Sequence, residues 1–290
     1  MTRLARPALL AVLFLALPLG LLFSGLGETA RGLPVYRVLA IAGLPVVVGL
    51  ATLACGAPML VLPRGGRVDA GPLRLLPFCA AAFMVDQGVI AVGHRLGWLT
   101  FTFGEQALME RPLWSAAWGV PLSLALALFG YERGLHGTLL SSWAERASRP
   151  ITALVVIAAG TALATPSILA GPSIPDGRYA AAALVTAAAR EAALLLIVLS
   201  GGGLLLAGML RGAYLFVEVV VVNDWLGVPF PMANYLSSEP RFYAARALAA
   251  TAALAVVALG AARATSRATA RAAARSRSDK SAPSTTGGAS

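Results

Sequence analysis

The sequence predicts an all-α membrane protein, a polytopic helical bundle of about eight transmembrane helices with both termini in the cytoplasm. Three observations carry that expectation. Hydrophobic residues make up 58% of the 290 and charged residues only 12%. Mean hydropathy is +0.77. The apolar residues fall into successive runs between Pro7 and Gly260, separated by short polar loops. A hydrocarbon core about 30 Å thick takes about 20 apolar residues as a helix. Backbone with no water to bond must be helical there, or close into a barrel. No segment outside the runs is long enough for a soluble core, so residues 1–263 read as a single transmembrane domain.

The spans are predicted at 7–24, 38–62, 75–97, 113–131, 151–171, 188–210, 213–232 and 243–262. The first follows Arg3 and Arg6; a signal peptide is the competing reading, but no small-x-small cleavage site follows. The second starts after Arg37 and stops before Arg64. The third runs from after Arg74 to Gly97, and the fourth from after Pro112 to Tyr131, ahead of Arg133. The fifth lies between Pro150 and Pro172. From Tyr179 to Leu210 the chain has 32 residues without proline. As one helix that is about 48 Å, more than the core needs, so Arg190-Glu191 is expected at the interface with 179–189 outside. Arg211-Gly212 divides the sixth span from the seventh, and the eighth ends before Arg263.

Lysine and arginine set the orientation. With the N-terminus inside, the inner face collects 15 of the 23, leaving Arg31, Arg37, Arg95, Arg111, Arg178, Arg190, Arg241 and Arg246 outside. The location that fits is a cell membrane, a bacterial inner membrane. The net charge of +10 sits in loops and tail, which points to anionic lipid headgroups and not to nucleic acid. Residues 264–290 read as a basic, disordered cytoplasmic tail. If the last helix continues, Arg263, Arg267, Arg271 and Arg275 form one stripe along it.

No cofactor or metal is expected. Cys55 and Cys79 lie in apolar runs and read as small core residues. His94 and His136 are placed on opposite sides of the membrane, which excludes a shared haem iron, and no Cys/His cluster suggests zinc. The only lysine, Lys280, is in the tail, so a retinal-type Schiff base is excluded.

Ionisable groups inside a bilayer mark functional sites by default. Asp86 and Glu218 each have apolar residues on both sides and are the predicted catalytic acid/base pair. Gln87, Phe83, Tyr214, Trp225, Asp224 and Asn223 are the predicted substrate-binding residues. The plainer reading is that the two carboxylates are satisfied by interhelical hydrogen bonds and only pin the bundle. Gly93 and Gly97 form a small-xxx-small pair for close helix approach. Gly201-Gly202-Gly203 reads as a place of tight helix packing, or as a bend or a close approach of a ligand to the backbone. Aromatic residues flank two outer loops, Trp98, Phe101, Phe103, Trp114 and Trp118 around one and Trp225, Phe230, Tyr235, Phe242 and Tyr243 around the other. They read as an interfacial belt, or as the mouth of a cavity. Phe83-Met-Val-Asp86 faintly echoes Leu215-Phe-Val-Glu218; this is either chance among apolar segments or a trace of a 4+4 helix duplication.

So few polar groups in the spans suit a lipophilic substrate. The leading expectation is an integral-membrane enzyme acting on an isoprenoid or other lipid by carboxylate acid/base chemistry. The alternatives are a small proton-coupled transporter or permease subunit, and a non-catalytic membrane partner protein.

Overall fold

The computed structural model describes residues 12, 14, 16–18, 43–54, 71–102, 112–144, 147–169, 177–217, 234–236 and 240–281. They are almost entirely helical. In order they form α1 (Leu44–Ala54), α2 (Gly71–Arg95), β1 (Thr100–Thr102), α3 (Pro112–Ala125), a wide-turned π segment (Leu126–Leu139), α4 (Leu140–Ala144), α5 (Arg149–Leu169), α6 (Gly177–Ile197), a short π turn (Val198–Gly202), α7 (Gly203–Leu215), β2 (Asn234–Leu236) and α8 (Pro240–Ser281). Three stretches are long and apolar enough to cross a membrane: Pro72–Arg95, Ala180–Leu215 and Pro240–Ser266. Leu44–Ala54 and Arg149–Thr165 are shorter apolar helices.

α6 is the hub. It packs against α5, α7 and α8, while α8 also lies along α2, and the π segment contacts α1 and α7. One core joins Leu75 and Cys79 of α2 to Leu194 and Ile197 of α6, Leu206 and Leu210 of α7 and Val257 of α8. A second joins Val48 of α1, Leu135 and Leu139 of the π segment, Val156 and Leu163 of α5, and Leu195 of α6. Lipid tails are as apolar as these side chains, so close van der Waals approach must hold such a bundle together. Small residues supply it. A Cβ at Gly130 would collide with the Pro45 backbone, and one at Gly134 with Phe14 and Val48.

Several boundaries differ from the sequence expectation. The fourth helical rod does not stop at Tyr131 but continues through the π segment to Ala144. Glu132, Arg133 and His136, expected at a cytoplasmic loop, are buried within it. Arg211-Gly212 is not a loop either, because α7 runs through it and Arg211 is buried. Arg190-Glu191 does not mark a water interface, since Glu191 is buried and Arg190 pairs with a buried partner. Glu132 and Glu191 are matched by Arg211, and Arg190 by Asp86, which lets those helices continue where solvation would have demanded an end. Moving Arg133 and Arg211 out of the inner set and Arg190 out of the outer set leaves the basic bias in the same direction. The tail, expected to be disordered from 264, is helical as far as Ser281, because Ala-rich sequence with arginines carries good helix propensity.

The chain breaks at the glycine triplet. Gly201 has φ 86° and ψ 10°, and Gly203 has φ 72° and ψ 172°. The second is open essentially to glycine alone, which is why the bend sits here. Gly203→Ala is expected to lose about 1–3 kcal/mol, measured as a fall in midpoint by thermal unfolding in detergent. Gly137→Ala, whose added methyl meets Leu204 at an ordinary 3.6 Å, serves as the neutral comparison.

Gly97 has a different job from the one its spacing suggested. It ends α2 with a positive φ of 71°. Its N–H bonds the His94 carbonyl at 3.1 Å and the Trp98 N–H bonds the Gly93 carbonyl at 2.8 Å, the paired closure of a Schellman cap. Gly93 admits the Phe242 and Leu99 side chains rather than a second helix backbone. Phe242 and Tyr243 are thus buried with Val89, Ile90 and Leu99, not displayed in a belt or cavity mouth. The two aromatic loops do meet: β1 pairs antiparallel with β2, Phe101 opposite Tyr235. The compared segments of the duplication include residues outside those described.

Candidate functional site

The hub position of α6 places two consecutive charged residues on different sides of one helix. Successive side chains diverge by about 100° around a helix of 3.6 residues per turn. Glu191 therefore faces α7 and α5, while Arg190 faces α2. α7 answers both, with Arg211 and, three residues on, Tyr214. Two buried polar centres result, joined through these two helices.

The first centre is a chain of charge-assisted hydrogen bonds. Arg211 donates from Nη1 and Nη2 to Glu191 Oε1 and Oε2 at 2.5 and 2.7 Å, and from Nε to Glu132 Oε1 at 2.5 Å. The guanidinium fork suits two carboxylates at once in a way that a lysine ammonium does not. The second oxygen of Glu132 lies 2.5 Å from His136 Nδ1. A carboxylate can only accept, so Nδ1 carries the proton in this bond. The Arg211 guanidinium also sits 4.7 Å from the centroid of the Tyr131 ring, a cation–π contact. Glu191 fits because residue 160 is glycine; a Cβ there would collide with the Glu191 carboxylate. Glu132 is 0% exposed, His136 4% and Arg211 6%. Burial of this kind is tolerated only with partners in place. With the imidazole protonated the four groups sum to zero charge, and with it neutral they carry one net negative charge.

His136 Nε2 is buried and has no hydrogen-bond partner among the described residues. One ring nitrogen is thus held by a carboxylate while the other is presented without a bond. That is the arrangement in which an oriented imidazole can accept or give a proton. The glutamate and histidine stand four apart in a wide-turned segment, and departures from α-helical winding recur at functional sites.

The second centre contains Asp86. Arg190 Nε donates to Asp86 Oδ2 at 2.6 Å, and Gln87 Nε2 approaches the same oxygen at 3.3 Å. The Arg190 guanidinium lies 4.6 Å from the Tyr214 ring centroid, and Phe83 packs on Tyr214 with centroids 5.6 Å apart. Asp86 is completely buried. Four of the sequence-predicted site residues, Asp86, Gln87, Phe83 and Tyr214, therefore come together. Glu218, Asn223, Asp224 and Trp225 lie outside the described residues.

Sequence reasoning missed Glu132, His136, Glu191, Arg190 and Arg211. A signal for Arg211 was available. It is flanked by Leu204–Leu210 and Ala213–Val217, as apolar a setting as that of Glu218. Among the described residues no group of three or more His, Cys, Asp or Glu could hold a metal ion. Comparisons with protein families, with curated proteins and with solved structures find no match to this chain. The functional reading therefore stands on the geometry of the site.

Proposed function

We propose that this chain is an integral-membrane enzyme acting on a lipophilic substrate, with His136 as its acid/base group and Glu132 as the carboxylate that orients it. The observation that supports this reading is the Glu132–His136 hydrogen bond of 2.5 Å together with the buried, unbonded Nε2 on the same ring. Arg211 and Glu191 hold Glu132 in position, so the imidazole keeps one tautomer and one direction. Proton transfer by a positioned imidazole contributes about 10²–10⁴ in rate. The reading keeps the carboxylate chemistry and the lipid or isoprenoid substrate class expected from the sequence, and moves the acid/base pair from Asp86 and Glu218 to Glu132 and His136. Asp86, spoken for by Arg190, takes a binding role. We place the protein in the bacterial inner membrane with eight crossings, both termini cytoplasmic and the Arg263–Arg275 stripe toward anionic headgroups.

Proton-coupled transport is the second reading. It is favoured by the number of charged side chains within the bundle, which exceeds the sparse lining first expected. Lipid analysis of cells lacking the protein separates the two. The enzyme reading expects a lipid species that accumulates or disappears, restored by the wild-type gene and not by Glu132→Gln. An unchanged lipid profile, or full restoration by Glu132→Gln, contradicts it.

A further inference from the structure

Where α2 begins and the apolar part of α8 ends, two arginines stand together that no carboxylate answers. The two helices run antiparallel: Gly93 meets Phe242 near one end, and Gly260 meets Phe78 near the other. At that second end the Arg263 guanidinium carbon lies 5.8 Å from the centroid of the Phe78 ring. Arg74 stands four residues before Phe78 on α2, so the two side chains leave one face of the helix about 6 Å apart. A Cβ at Gly260 would collide with Phe78, so the ring reaches the α8 backbone and forms a floor between the helices. Two cations thus flank one aromatic ring. Among the described residues neither makes a hydrogen bond or an ion pair. Arg74 is half-buried and Arg263 exposed, so both are open to a ligand from outside.

The charge selects an anion. Like charges held close repel, and beside hydrocarbon that repulsion is poorly screened. An anion between them removes it. The guanidinium fork suits phosphate, taking two of its oxygens at once. A zwitterionic headgroup would bring a cation of its own to the two arginines, so a net negative one fits better.

The surroundings select the carrier of that phosphate. Both helices are long and apolar enough to cross a bilayer. Leu259, one turn deeper than Arg263 on the same face of α8, is 50% exposed. Pro77 and Ala81, successive turns deeper than Arg74 on α2, are exposed as well. A soluble anion would gain nothing from these apolar side chains, whereas acyl chains beneath a headgroup would cover them. We infer that Arg74 and Arg263, with Phe78 between them, seat the phosphate of an anionic phospholipid whose acyl chains lie along the exposed sides of α2 and α8. The site rests on the headgroup placement of the arginine stripe and is independent of the chemistry at His136.

The experiment is native mass spectrometry of the full-length protein in detergent. It is titrated with phosphatidylglycerol, with phosphatidylcholine of the same chains, and with inorganic phosphate. The expected result is one phosphatidylglycerol bound more tightly than any further copy, and about tenfold more tightly than phosphatidylcholine. Neither arginine bonds the rest of the bundle, so Arg74→Gln and Arg263→Gln are expected to keep the wild-type fold. Each is expected to weaken the tight binding about fivefold, and the two together about 25-fold. The charge-matched control removes two arginines further along the stripe, Arg271→Gln with Arg275→Gln, and is expected to leave the tight binding unchanged. Phosphatidylcholine bound equally well overturns the site. Equal weakening by the control shows diffuse attraction to the stripe, which overturns the seat and spares the stripe. Displacement of the lipid by inorganic phosphate at the same concentration assigns a soluble anion and overturns the lipid. No change in any variant overturns both the seat and the headgroup placement of the stripe.

Discussion

Arg211→Met is expected to destabilise the protein by about 3–5 kcal/mol, the largest effect of any single substitution in the bundle. The guanidinium makes three hydrogen bonds of 2.5–2.7 Å to two glutamates. Removing it leaves Glu132 and Glu191 buried, close together and with no cation between them. Burying an unmatched carboxylate costs more than its hydrogen bonds ever contributed, and here two are exposed to that penalty at once. The measurement is the thermal midpoint of purified protein in detergent, followed by fluorescence-detected size exclusion. Arg211→Lys is expected to fall between wild type and Arg211→Met, because an ammonium restores the charge without the fork. The triple variant Arg211→Met, Glu132→Gln, Glu191→Gln is expected to recover most of the loss, since neutral groups of similar volume often replace a buried ion cluster at little cost. A triple variant no better than the single would show that the cluster's charge is not what Arg211 balances.

His136→Gln is expected to abolish function while leaving the fold intact. A glutamine amide can still donate to Glu132 in place of Nδ1–H, so the buried carboxylate keeps a partner. It has no second basic nitrogen to take the place of Nε2. If His136 moves a proton in the reaction, turnover of the affected lipid falls by about 10²–10⁴ at unchanged expression and thermal midpoint. If His136 only satisfies Glu132, turnover is retained. The comparison of turnover with midpoint in one variant distinguishes these outcomes, which simple loss of function would not.

The membrane character of the chain is written plainly in its composition; the bend at Gly201–Gly203 was one of the readings its glycines allowed, beside tight helix packing, and the positive φ of Gly201 and Gly203 decides for it. Asp86 was legible because it stands isolated in an apolar run; Gln87 is its sequence neighbour, whereas Tyr214 reaches this centre only through the packing of its ring on Arg190 and Phe83, which spacing along one helix does not record. The first polar centre was not legible, for a physical reason. Charged residues are the natural punctuation of apolar segments, so Glu132, Arg133, Arg190, Glu191 and Arg211 were each assigned to a boundary. A charge ends a span only if it is solvated. Where a partner on another helix neutralises it, the helix runs on, and the partner is tens of residues away: 79 positions separate Arg211 from Glu132 and 104 separate Arg190 from Asp86. One-dimensional periodicity carries no record of those distances. Gly97 misled in a similar way. Its spacing from Gly93 matched helix packing, but position alone does not distinguish a packing glycine from one that ends a helix.

The central claim is that a carboxylate and an imidazole, together with an arginine from a distant helix, are bonded to one another within the membrane-embedded bundle. The chain contains two histidines, His94 and His136, which makes a direct measurement clean. Solid-state NMR on ¹³C,¹⁵N-labelled protein in lipid bilayers, with His94→Gln to remove the other imidazole, reports through-space contacts from the remaining ring. The account predicts a contact between His136 Nδ1 and the Glu132 carboxyl carbon, with the Glu132 carboxyl in turn close to Arg211 Nε, and no contact from the ring to bulk water. An imidazole that exchanges freely with water and shows no contact to Glu132 would contradict it.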